Sequence, residues 1–262
     1  MSAPLVAALG VSAAVSLAAW SLRALTPWGS VAACLVGASV YAGTGWRAGA
    51  ILLAFFIGSS AVSRGVDPAN QSMGTKGSRR DAWQVLANGG VAAIMALGGW
   101  FGILSMSHAI WAITASLAVA AADTWASSIG PRSPHFPRDI LTGNPVSPGS
   151  SGAVSWVGTA GAFAGAVSVS ASGALALSEP RLLVAGLIIG MIGMTLDSLL
   201  GSGCQARYRC PLCNTPCERP IHRCGSRAAL IGGFSFLNND GVNAIATFVG
   251  GMAGMLTAAL FS

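Results

Sequence analysis

Charge is what this sequence most lacks. Of its 262 residues only 8% are Asp, Glu, Lys or Arg, where a soluble domain carries about 25%. That shortfall excludes an ordinary cytosolic domain, a disordered chain and a secreted disulfide scaffold. No GxxxxGK[ST] string occurs, so there is no P-loop. No basic residue precedes the first apolar stretch and Arg23 follows it, a pattern not expected of a signal peptide. What fills the chain instead is apolar and small: 53% of residues are hydrophobic, mean hydropathy is +0.66 and 35 residues are glycine. Gly, Ala and Ser on an apolar background let helix backbones approach closely in a bilayer. The expected fold class is all-α: a polytopic membrane protein with one transmembrane domain over 1–262.

A span needs about 20 apolar residues. Eight stretches qualify, the third being short: 4–22, 28–45, 48–63, 83–104, 108–129, 152–177, 182–200 and 241–261. Basic residues then fall on alternate connections. Arg23, Arg64, Lys76, Arg79, Arg80, Arg132, Arg138, Arg207, Arg209, Arg219, Arg223 and Arg227 lie on one side, leaving only Arg47 and Arg181 on the other. With eight helices this is a positive-inside pattern. It makes 64–82, 130–152 and 201–228 cytoplasmic loops and puts both termini outside a bacterial inner membrane. Nucleic-acid binding is not expected from the net charge of +6, because the basic residues sit in short loops between apolar segments. The stretch 228–237 is too short to span. It reads either as a re-entrant piece or as an extension of the last helix.

Acidic groups in membrane helices are costly and mark function by default. Asp123 and Asp197 lie near the ends of the fifth and seventh stretches, and Asp240 at the start of the eighth. In the expected topology all three share the cytoplasmic side with Asn88, Asn239 and Asn243. Singly, each Asp could be a cap or an intramembrane hydrogen-bonding group, Asp240 most readily. Jointly, carboxylates from three helices on one leaflet supply the hard oxygen donors that Mg2+ takes. The loop GTKGSRR brings Lys76, Arg79 and Arg80, either as a phosphate cradle or as a topology signal for anionic lipid. Five prolines exclude a long helix in 130–152. SPGSSGAVS then opens the sixth helix, so Ser147, Gly149, Ser150 and Ser151 form either a helix-N-terminal anion site or an ordinary cap. Arg132 follows Asp123 closely enough to share its site.

Five of the six cysteines fall within 204–224. The pattern C-x2-C-x8-H-x-C offers Cys210, Cys213, His222 and Cys224 for tetrahedral Zn2+. Cys217 could replace His222. Redox use and plain free thiols are the alternatives, and a cytoplasmic location disfavours disulfides.

The strings QVLANGG (84–90), AAADTWASSIG (120–130), SPGSSGAVS (147–155), TLDSLLGSGCQ (195–205) and LNNDGVN (237–243) resemble, in order, those of the integral-membrane phytyl-phosphate kinases of plants and their bacterial relatives. The resemblance runs from about residue 64 to the C-terminus. More distantly, the D-T-x-A string and the S-P-G segment resemble dolichol and phytol kinases and CDP-diacylglycerol synthases. The C-x2-C…H-x-C loop is similar to a feature of the first family. The resemblance implies phosphoryl transfer from a nucleoside triphosphate, with CTP the expected donor, to an isoprenyl monophosphate. Mg2+ would sit on Asp123, Asp197 and Asp240, with Lys76, Arg79, Arg80 and Arg132 on phosphate oxygens. The expected partners are the nucleotide, an isoprenyl phosphate lipid and the bilayer, and a homodimer is one assembly compatible with them. The alternatives are a prenol kinase, a CTP-dependent lipid cytidylyltransferase, and a cation- or proton-coupled transporter.

Overall fold

A computed structural model describes residues 3–64 and 79–261. The described chain is α1 (Ala3–Ser21), α2 (Pro27–Arg64), α3 (Ala82–Trp100), α4 (Met106–Ile129), a 3-10 turn (Gly130–Arg132), β1 (Arg138–Asp139), β2 (Ala153–Val154), α5 (Trp156–Leu177), α6 (Pro180–Gly203), β3 (Arg207–Arg209), β4 (Pro216–Cys217), β5 (Ala229–Gly232) and α7 (Asn239–Phe261). Helices dominate because a bilayer leaves backbone N–H and C=O groups no partner but each other. Short polar side chains start them. Ser105 and Ser155 cap α4 and α5, and Asp81 and Gln84 form a reciprocal capping box on α3.

Six helices, α2 to α7, are long and apolar enough to cross a membrane. The sequence pattern suggested eight spans. Two of these, 28–45 and 48–63, are the two arms of α2, separate helices that fold back on each other at Gly45 (φ 72°, ψ −164°): Gly29 packs against Arg80 O and Gly43 against Ala96 O, while Arg64 at the far end of the second arm returns to donate to Leu22 O. That backbone conformation is open essentially to glycine alone. The first expected span is α1, whose apolar run Leu5–Ser21 is shorter than the other six.

Two local expectations are corrected. Residues 228–237 form neither a re-entrant helix nor an extension of α7. They contain β5, which pairs with β3 in a three-stranded sheet of order β4–β3–β5. SPGSSGAVS does not open a helix directly. Residues 147–152 turn, β2 pairs with β1, and α5 starts only after Ser155. Left-handed backbone at Gly149 (φ 80°) and Gly152 (φ 76°) is what keeps this stretch out of the helix.

The core is α4. It packs against α2, α3, α5, α6 and α7. Its span is 78% buried, against 22–39% for the other five. Alanines at 109, 112, 115, 118, 121 and 122 leave it a thin cylinder, and glycines of its neighbours press onto it. A Cβ on Gly193 of α6 would stand 2.3 Å from Val119, and one on Gly254 of α7 would stand 2.5 Å from Ala115 Cβ and 2.7 Å from Trp111 O. Packing of small against small is what holds membrane helices together. Here it also sets the C-terminal end of α4, with Asp123, beside α6 and α7.

A second fixed point ties the N-terminal helices to α3. Arg80 N donates to Ala24 O and Thr26 N to Arg80 O, both at 3.0 Å. Arg80 is thus locked by its backbone to the α1–α2 turn.

Gly254→Ala should destabilise the protein by about 1–3 kcal/mol through overpacking. Gly90→Ala, where a Cβ meets nothing within 4 Å, should be neutral or stabilising by up to about 1 kcal/mol. Thermal unfolding in detergent distinguishes the two. Equal effects would contradict the packing account.

Candidate functional site

A cleft of about 630 Å³ opens where the ends of α3, α4, α6 and α7 meet the polar connections. Arg80 and Asn88 reach it from the start of α3, Asp123 from the last turns of α4, Asp197 from α6, and Asn239, Asp240 and Asn243 from the first turns of α7. Gly149, Ser150 and Ser151 of the turn before β2 complete it, with Glu218 and Arg219 of the cysteine loop. Three carboxylates from three helices therefore share one cavity.

Asp197 is buried, and Asn243 donates its amide nitrogen to Asp197 Oδ2 at 2.8 Å and to Asn239 O at 3.2 Å. Thr247 donates to Ala87 O at 2.9 Å, which sets the register of α7 against α3. Asn88 donates Nδ2 to Gln84 O at 2.9 Å, while its Oδ1 is buried with no protein partner among the described residues. The Arg80 guanidinium lies over the Phe55 and Phe56 rings, 5.8 and 5.7 Å from their centroids. Its Nη2 is likewise buried without a protein acceptor among the described residues. Burial lowers the Arg80 pKa to about 10, which still leaves it a cation at neutral pH. The site thus holds a fixed positive charge with an open donor, an open amide oxygen and four acidic side chains, three from helices and Glu218 from the cysteine loop. Such a set suits an anionic ligand accompanied by a hard cation.

Not every expected residue reaches the cleft. Arg79 turns away and clamps Leu25 O with Nε (3.1 Å) and Nη2 (3.0 Å), so it fixes the α1–α2 turn instead. Arg132 and Ser147 do not line the cleft either. Lys76 lies outside the described residues. The turn is no helix-N-terminal anion site, and its hydroxyls are engaged. Ser150 Oγ donates to Ser147 O at 2.8 Å. Ser151 Oγ donates to the Glu218 carboxylate and accepts from Gln205 Nε2 at 2.7 Å.

Sequence reasoning missed Gln84, Gln205, Glu218 and Arg219 on the cleft wall. Gln205 closes the TLDSLLGSGCQ string. Glu218 is the one acid in the cysteine loop, a visible signal. Burial pushes the Glu218 carboxyl above its ordinary range, against the Ser151 hydrogen bond and the Arg219 charge.

Cys210, Cys213, His222 and Cys224 bring one ligand atom each to within 4.8 Å of one another. The set is the C-x2-C-x8-H-x-C set. Cys217 is not in it, and its thiol faces Arg219 O at 3.5 Å. None of the six cysteines is in a disulfide. The Cys213 N–H donating to Cys210 Sγ holds that thiol below its ordinary range. Soft thiolates with one imidazole fit tetrahedral Zn2+.

The family described as integral membrane protein DUF92 matches residues 10–251. The chain belongs to the DUF92 family. The match takes in the first helices, which carry none of the motif strings. Relatives include Protein PGR of Arabidopsis thaliana, 27% identical over 266 residues and covering 91% of each chain. An uncharacterized membrane protein of Methanocaldococcus jannaschii is 29% identical over 234 residues, covering 89% of this chain and 86% of its own. One of Synechocystis is 28% identical over 193 residues, covering 71% and 74%. No solved structure matches.

Outside the cleft, one buried acid pins the loop of this DUF92 protein to the helices. Asp139, on β1, accepts from Ser202 Oγ of α6 at 2.6 Å and from Leu141 N, Thr142 N and Thr142 Oγ1. Burial acts to raise its pKa, but the four hydrogen bonds outweigh burial and hold it below the ordinary carboxylate range. Its stabilising contribution is therefore complete above the unfolded value of about 3.9 and is lost as pH falls through the lower folded value. Asp139→Ala should cost about 2 kcal/mol at pH 7, and the gap to wild type should close below about pH 4. Unfolding curves in detergent across that range check it, and a gap unchanged at low pH would contradict the assignment.

Proposed function

We propose that this protein is a membrane kinase that transfers the γ-phosphoryl group of a nucleoside triphosphate, CTP by the resemblance of its motif strings, to an isoprenyl monophosphate. The observation that carries the reading is the shared cleft of Asp123, Asp197 and Asp240 with the buried Arg80 guanidinium. Phosphoryl transfer asks mainly for positioning and charge neutralisation. The donor set fits Mg2+, since it consists of hard oxygens and includes Asn88 Oδ1, buried and without a protein partner among the described residues. Asp123 and Asp197, with Asp240, would hold the ion, which neutralises and orients triphosphate oxygens. Arg80 neutralises further phosphate charge from its fixed seat on Phe55 and Phe56. Asn243 keeps the Asp197 carboxylate oriented.

A terminal oxygen of the acceptor phosphate bonds to the γ-phosphorus as the bond from that phosphorus to the β–γ bridging oxygen breaks. The products are the isoprenyl diphosphate and the nucleoside diphosphate. The acceptor is already an anion, so little general-base help is needed. Its tail lies along the Gly/Ala-rich helices toward lipid. The basic connections support a cleft at the cytoplasmic face of a bacterial inner membrane. The Cys3His loop takes a structural zinc.

The test is product analysis by mass spectrometry after incubating purified protein with Mg2+, CTP and C15 to C20 isoprenyl monophosphates. Isoprenyl diphosphate with CDP is expected. A CDP-linked lipid with pyrophosphate would make the protein a cytidylyltransferase instead. Asp123→Asn and Asp197→Asn should each lower kcat by at least about 100-fold while the protein stays folded. Near-normal turnover in both purified variants would sink the metal assignment.

A further inference from the structure

The cysteine loop does more than close on itself. Two of its residues, Glu218 and Arg219, line the cleft. Both lie between the ligand pairs, after Cys210 and Cys213 and before His222 and Cys224. A tetrahedral metal on those four would fix both ends of that short span. The span is also held from beneath, where Cys217 of β4 pairs with Tyr208 of β3. The base of the loop is fastened to the helix ends that carry Asp197 and Asp240. Phe234 N donates to Cys204 O at 2.9 Å and Ala206 N to Leu237 O at 2.8 Å.

From this position Glu218 accepts from Ser151 Oγ, and Ser151 accepts from Gln205 Nε2 at 2.7 Å. Gln205 is 2% exposed, so one end of the chain of bonds is rigid. Ser151 precedes Gly152, where a Cβ would stand 2.4 Å from Ser202 Cβ. The turn can sit on α6 only in this close register. Glu218 is therefore the clasp between the metal loop and the turn that walls the cleft.

We propose that zinc held by Cys210, Cys213, His222 and Cys224 sets the shape of the cleft through Glu218, which latches the 149–152 turn, and places Arg219 beside the bound anion. Glu218 is a positioning residue, and Arg219 is the additional cationic contact. The proposal builds on the anion-binding reading of the cleft, but the latch itself can be read without turnover.

The experiment uses the full-length protein in detergent, zinc-loaded or stripped with a chelator. Readouts are zinc content, hydrogen exchange of the peptide covering 147–155, and binding of MgCTP. One zinc per chain is expected, and stripping should speed exchange at 147–155 at least tenfold. Glu218→Ala should reproduce that acceleration with zinc retained, and Glu218→Gln, which can still accept from Ser151, should restore slow exchange. Arg219→Gln should weaken MgCTP binding about tenfold with zinc content and exchange unchanged. Absence of bound zinc, or zinc removal that leaves exchange at 147–155 unaltered, would overturn the proposal. Coupled exchange in a protein that turns over no isoprenyl phosphate would support the latch and overturn the kinase reading.

Discussion

Carboxylates on neighbouring membrane helices repel one another and are costly to desolvate, and a cation between them or a proton on one of them relieves both penalties. The rest of this structure is arranged around that constraint. Asp123, Asp197 and Asp240 come from three helices yet line one cleft. Close packing of α6 and α7 on the thin, alanine-rich α4 brings them there. The glycines that permit this packing are thus as much part of the site as the acids. Arg80, cushioned on two phenylalanines, supplies fixed positive charge in the same cleft.

The site is divided by chemistry. Helices carry the hard oxygen donors, whose positions must not drift. Connections carry the adjustable groups. The β1–β2 hairpin is fastened to α6 by Asp139 and Ser202, and the cysteine loop reaches the same hairpin through Glu218 and Ser151. The two loops therefore brace one another over the acidic end of the bundle. A midplane carrier site is a poor description of this arrangement, because every acidic lining residue lies near a helix end or in a loop.

Much of this was legible in the sequence. The eight long apolar runs fall mainly on helix, the three helix-borne acids share a cavity, and the four cysteine-loop ligands converge in the set that their spacing suggested. What was not legible has physical reasons. Arg79 and Arg80 are adjacent and chemically alike, yet one binds a backbone carbonyl and the other faces the cleft. That difference comes from tertiary pairing with the α1–α2 turn. SPGSSG looks like a helix start, but left-handed glycines at 149 and 152 delay the helix to Trp156. Glu218 meets Ser151 across 67 residues, a contact no local pattern encodes.

The central claim is that Asp123 and Asp197 share a divalent cation with an anionic ligand. Electron paramagnetic resonance with Mn2+ in place of Mg2+, on zinc-saturated protein with CTP present, measures that most directly. The account predicts a bound Mn2+ signal in the wild type that Asp123→Asn and Asp197→Asn each abolish. Undiminished Mn2+ binding in both variants would contradict it.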